Sequence, residues 1–143
     1  LTDDAELLTV QEGSLAEQFV GQELRASNSC LNERNLFYWQ REARNANAEV
    51  DYLWTHGEGV VPVEVRAGTS GSLKSTHMFL AEKGRQFAVR FNMDRPSIGS
   101  FTADISGKNG ARTISYTLLS LPLYFAGQLD RLVYEYYAEG AKS

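Results

Sequence analysis

Glu49-Val50-Asp51-Tyr52-Leu53-Trp54 and, past the turn His56-Gly57-Glu58-Gly59, Val60-Val61-Pro62-Val63-Glu64-Val65-Arg66 decide how this chain is read. Both runs are apolar enough to be strands, and the Gly-rich turn joins them as a hairpin. Each carries a carboxylate where a half-buried strand normally avoids one. An ionised Asp or Glu is costly to desolvate unless it is paired or binds a cation. If the runs are adjacent antiparallel strands, the hairpin sets their register and Asp51 and Glu64 sit side by side near one end. Period-two alternation puts Glu64 and Arg66 on one strand face, with Val63 and Val65 on the other. Two carboxylates and a main-chain carbonyl are hard oxygen ligands suited to Mg²⁺ or Mn²⁺, and a neighbouring cation would hold a phosphate. The same spacing equally serves a solvent-facing Glu64–Arg66 ion pair, so spacing alone leaves both readings open.

Working outward, residues 13–26 read as a helix, with Leu15, Phe19, Val20 and Leu24 at helical spacing over roughly half the circumference. Glu17 falls at the edge of that arc and Glu23 inside it. An acid at the border of a buried face can reach a neighbouring strand. Residues 1–12 read as the remnant of a linker or helix, and 13–143 as the domain. The aromatic-rich stretch 36–41 is a strand, Arg44-Asn45-Ala46-Asn47 a turn and residues 68–72 a flexible loop. A helix is expected over residues 73–83 and a strand near 87–91. Residues 94–112 read as loop, with a turn at Gly107-Lys108-Asn109-Gly110, and residues 113–118 as a strand. Pro122 is expected to open a final helix reaching about residue 137, since proline suits the first helical position. The order predicts an α/β fold with a mixed central sheet flanked by helices.

At 143 residues, 43% hydrophobic and 22% charged, the chain has the size and composition of one globular domain. The single cysteine, Cys30, rules out an intramolecular disulfide framework, reads as a buried free thiol and fits a reducing cytoplasm. There is no signal peptide, and no apolar run nears the roughly 20 residues that span a bilayer, so no membrane partner is expected. The chain opens on Leu1 rather than Met, as expected of a segment of a longer polypeptide. A net charge of −4 argues against a general nucleic-acid-coating protein. Between residues 74 and 95, Lys74, Lys83, Arg85, Arg90 and Arg95 outnumber Glu82 and Asp94. That basic stretch is read first as solvated charge.

Glu17 on the first helix, Asp51 on a strand and Glu64-Val65-Arg66 on the next resemble the PD-(D/E)XK nuclease superfamily. Its restriction-endonuclease-like core follows the order helix, three strands, helix, strand. A narrower template is similar to the C-terminal domain of unknown function carried by many prokaryotic AAA-type ATPases, over about residues 13–132. It comprises Gly13-Ser14-Leu15-Ala16-Glu17-Gln18-Phe19-Val20-Gly21-Gln22-Glu23-Leu24, Phe37-Tyr38-Trp39, Glu49-Val50-Asp51, Pro62-Val63-Glu64-Val65, Leu73-Lys74-Ser75 and Leu121-Pro122-Leu123-Tyr124-Phe125-Ala126. The resemblance implies that Asp51 and Glu64 ligate Mg or Mn, with the Val65 carbonyl as third ligand and Glu17 supporting from the helix. It puts Arg66 where the superfamily usually has a lysine that positions and activates the attacking water. Arginine stays protonated and cannot act as a base, though it can clamp a phosphate or stabilise developing charge. Lys74, at the start of the next helix, is the candidate substitute.

Gly68-Thr69-Ser70-Gly71-Ser72-Leu73-Lys74-Ser75 nearly matches the phosphate-binding pattern G-x-x-x-x-G-K-[ST]. Leu73 replaces the second glycine, so no nucleotide is expected here, and any ATPase machinery belongs upstream. His56 and His77 have no His or Cys partner at zinc spacing. Tyr116, Tyr124, Phe125, Tyr134, Tyr136 and Tyr137 are read as core or docking side chains rather than base-stacking ones. Two functions follow. One is a nuclease-derived module without turnover, attached to an upstream ATPase region, that binds nucleic acid or protein or regulates the ATPase. The other is an active Mg-dependent phosphodiesterase on DNA or RNA, with Asp51, Glu64, Arg66 and Lys74 as its catalytic set. Arg66 and the acidic charge favour the first, the retained Asp51 and Glu64 the second.

Overall fold

A computed structural model describes residues 2–27, 36–42, 47–57, 59–68, 72–107 and 110–141, with side chains in the first helix from Glu12 onward. In chain order the elements are α1 (Thr2–Ala26), β1 (Phe37–Arg41), β2 (Ala48–His56), β3 (Gly59–Val65), α2 (Lys74–Lys83), β4 (Phe87–Asn92), β5 (Ser97–Gly107), β6 (Gly110–Pro122), a 3₁₀ segment (Leu123–Gln128) and α3 (Leu129–Gly140). One six-stranded sheet runs in the order β1-β2-β3-β4-β6-β5. The β3–β4 and β4–β6 pairs are parallel, the rest antiparallel. The expected α/β fold with a mixed sheet flanked by helices is therefore present.

The β2–β3 hairpin closes at His56↔Gly59, where Gly57 adopts φ 57°, a left-handed conformation that glycine takes without steric cost. β3 is buried from Val61 to Val65. A central strand covered on both faces reads as a near-continuous apolar run, and Glu64 is its one exception. On one sheet face Val61, Val63, Val65, Val89, Phe91 and Leu121 pack against Val20 and Leu24 of α1 and Leu129 and Val133 of α3. On the other, Ala88, Tyr116 and Leu118 pack under Leu80 of α2.

Four sequence expectations are corrected. The helix expected from residue 13 runs unbroken from Thr2. Its buried stripe is Ala16, Val20 and Leu24, while Leu15 and Phe19 are 58% and 43% exposed. The reason is that α1 lies close to the sheet through small residues. A Cβ on Gly21 would meet the Tyr52 hydroxyl at 2.5 Å, and that hydroxyl donates to the Glu17 carbonyl at 3.0 Å. Residues 97–107, expected as loop, form the longest edge strand, paired with β6 from Ser97↔Ser120 to Gly107↔Gly110. Their Ser, Thr and Gly content reads as loop, but Ile98, Phe101, Thr102 and Ile105 suit a pleated surface and the partner strand completes the ladder. Finally, Pro122 ends β6 with ψ 151° and caps the helical stretch rather than forming its first residue; that stretch opens as the 3₁₀ segment Leu123–Gln128 and becomes α-helical only from Leu129 to Gly140. Cys30, the turn residues 44–46, the loop residues 69–71 and the tip residues 108–109 lie outside the described residues.

The close approach at Gly21 carries a prediction. Gly21→Leu forces Tyr52 aside and breaks its bond to Glu17, and overpacking of this kind is expected to cost about 2 kcal/mol. Urea unfolding measures it, and unchanged stability would show that α1 is not held at this spacing.

Candidate site: a carboxylate fork closed by an arginine

The site arises where β2 leaves β3. Their ladder ends at Tyr52↔Val63, while β3 continues beside β4 through Glu64↔Arg90 and Val65↔Phe91. The Val65 N–H, without a β2 carbonyl to meet, donates to Asp51 Oδ2 at 2.7 Å. Asp51 thus holds the fork by standing in for main chain. The Arg66 N–H donates to the Phe91 carbonyl at 2.8 Å and fixes the next residue against β4.

Glu64 is only 2% exposed. Its Oε2 accepts from the Thr76 hydroxyl at 3.3 Å, and its Oε1 is paired with the Arg66 guanidinium. The same guanidinium donates to the Val65 carbonyl and the Ser72 carbonyl, each at 3.2 Å. α2 is tied to β2 as well, because the Glu49 N–H donates to Ser75 Oγ at 3.2 Å.

The electrostatics follow from burial. Desolvation, then the nearby Asp51 charge, pushes Glu64 up to about 7, against the pull of Arg66 and Thr76. Burial also raises Asp51, partly offset by the Val65 N–H and Arg66. Glu17 is raised by burial, then by Asp51 and Glu49. Glu17, Glu49 and Asp51 line a cleft of about 200 Å³ with Phe37, Tyr38 and Tyr52.

The residues singled out in the sequence divide accordingly. Asp51, Glu64, Arg66 and the Val65 carbonyl converge, and Glu17 reaches the cleft from α1. Lys74 is exposed at the first position of α2. Thr76, Ser72 and Glu49 were missed. Glu49 was findable, since two residues before Asp51 alternation gives it the same face. Ser72 acts through its main chain, which no side-chain pattern reveals. His56 stacks on Tyr137 at a centroid distance of 5.3 Å, and His77 Nε2 shares a 2.8 Å hydrogen bond with the Tyr116 hydroxyl.

Both Glu64 oxygens, one Asp51 oxygen and the Val65 carbonyl are engaged, three of these four by Arg66 or Thr76. Among the described residues, no group of three or more His, Cys, Asp or Glu side chains could hold a metal. A guanidinium meets the carboxylate and the carbonyl that an ion would otherwise share.

Fold and site together define a class: a mixed α/β domain whose sheet opens at an acidic fork that an arginine closes. The chain belongs to the family described as domain of unknown function DUF4143, whose model matches residues 12–105. That span contains every residue of the fork. A comparison with curated proteins gave no match. No helix among the described residues is long and apolar enough to cross a membrane.

Proposed function

We propose that this domain is a nuclease-derived recognition module that works without hydrolysis, joined to an ATPase region of the same polypeptide. The observation that carries the reading is the Arg66 guanidinium bridging Glu64, the Val65 carbonyl and the Ser72 carbonyl. It supplies the positive charge that the carboxylates need, and it has no basic lone pair with which to activate water. The ATPase association comes from the sequence resemblance alone. The exposed Leu15 and Phe19 on α1 suit contact with a neighbouring protein region.

Calorimetric titration with Mn²⁺ tests this. The parent is expected to give no saturable heat, whereas Arg66→Ala, with the guanidinium gone, gains a site that Asp51→Ala removes. Saturable Mn²⁺ binding in the parent, lost in Asp51→Ala, would overturn the reading.

One observation favours the second reading, a metal-dependent phosphodiesterase. Burial first, and neighbouring carboxylates after it, raise Glu64, Asp51 and Glu17, so three acids gathered around one guanidinium are held in surroundings where a further cation would favour their ionised forms. Cleavage assays on single- and double-stranded DNA with Mg²⁺ or Mn²⁺ separate the two. Cleavage only by Arg66→Lys marks the parent as disabled; cleavage by the parent, abolished in Asp51→Ala, establishes the enzyme.

A further inference from the structure

A second polar cluster lies on the α2-side face, one strand beyond the fork. Arg90 and Asn92 are two residues apart on β4 and so share that face, about 7 Å apart along the strand. Asn92 is 1% exposed; its Oδ1 accepts the Asp94 N–H at 3.2 Å, but its Nδ2 has no acceptor. The Arg90 Nη2 donates to Ser120 Oγ at 3.0 Å, while its buried Nε–H also has no acceptor. Among the described residues no carboxylate is ion-paired with Arg90. Glu64 is its neighbour in register, yet that carboxylate is turned to Arg66 and Thr76.

A buried N–H without an acceptor forfeits its hydration and gains nothing in return. Two of them, one on the Arg90 guanidinium and one on the Asn92 amide, are a donor surface awaiting negative oxygen. The row leads to solvent. Ser120 pairs with Ser97 on the edge strand β5, where Ser97 is exposed, and the exposed Arg95 lies two residues before it.

We infer that Arg90, Asn92 and Ser120 form a binding site for a phosphate-type oxyanion, entered from the β5 edge beside Ser97. The guanidinium supplies the charge and the Nε–H, and the Asn92 amide supplies a second N–H. A phosphate presents its oxygens tetrahedrally, which suits donors held on two neighbouring strands better than the two coplanar oxygens of a carboxylate. The site is independent of the arginine-closed fork and stands whether or not the fork binds metal.

Inorganic phosphate, titrated into the protein and followed by amide NMR shifts, is the first probe. Saturable binding is expected, with shifts centred on residues 90–97 and 120. Arg90→Gln and Asn92→Asp should each weaken it at least tenfold, and Arg112→Gln, on the far part of the β5–β6 hairpin, should leave it unchanged. Ser120→Ala provides a milder variant if either of the first two fails to fold, with an expected loss of severalfold. A parent without saturable phosphate binding, or folded variants that bind as well as the parent, would overturn the inference. Two further arms name the source of the phosphate. A 5′-phosphorylated oligonucleotide binding more tightly than inorganic phosphate, with the same dependence on Arg90, assigns a nucleic acid. Equal or weaker binding assigns a small phosphate compound.

Discussion

Arg66→Ala is expected to destabilise the domain by about 2 kcal/mol at pH 8 and by much less at pH 5.5. Removing one partner of a fully buried ion pair typically costs about 3–5 kcal/mol, because the other charge is stranded. Arg66 is 35% exposed, so water recovers part of that loss and the lower figure applies. The pH dependence follows from Glu64, whose carboxyl is pushed up to about 7 from an ordinary 4.5. A carboxyl raised on folding binds its proton more tightly in the native state. It therefore favours the native state below 4.5 and loses that contribution as pH climbs through 7. By the 1.36 kcal/mol per pH unit conversion, the full swing is roughly 3 kcal/mol. Without Arg66 the ionised form of Glu64 has lost its cation, so the penalty falls where Glu64 is ionised. Urea midpoints at both pH values measure the effect, and Arg66→Ala/Glu64→Gln should abolish its pH dependence. Equal losses at pH 5.5 and 8 would show that Arg66 does not serve Glu64.

Phe91→Ala is expected to cost more, about 4 kcal/mol, within the range for truncating a buried aromatic. Phe91 is fully buried on β4, between Val65 of β3 and Leu121 of β6. Domains of this size are stable by only about 5–15 kcal/mol, so the loss takes a large share of the total. The Phe91 carbonyl also receives the Arg66 N–H, and repacking at this position would disturb the fork itself. Phe101→Ala, at an exposed site on β5, should change stability by about 0.5 kcal/mol or less. Urea unfolding of both variants settles the contrast. A loss at Phe91 no larger than at Phe101 would contradict its place in the core.

The hairpin and the central strands were legible because their apolar runs are short, alternating or continuous, and bounded by turn residues. Asp51 and Glu64 were legible because charge inside such runs has a desolvation cost that demands a partner. What escaped the sequence depended on distant partners. β5 is polar and becomes a strand only because β6 offers a full ladder. Leu15 and Phe19 fall on the correct arc by periodicity, yet the close packing at Gly21 turns the burial towards Ala16. Lys74 is near the fork in sequence and is exposed at the start of α2. Arg90 is visible as a basic residue in a strand, but the want of an acceptor for its Nε–H is a property of packing alone.

The placement of β6 between β4 and β5 has a consequence for where this domain can be cut. The family match stops at residue 105, inside β5, although β5 touches the sheet only through β6. A fragment ending there would keep an edge strand with nothing to lie against and would bare the far side of β4. It would also lose Leu121, Ala126, Leu129 and Val133 from the core. The smallest piece able to fold independently must therefore run past the family boundary into α3, whatever limits sequence similarity draws.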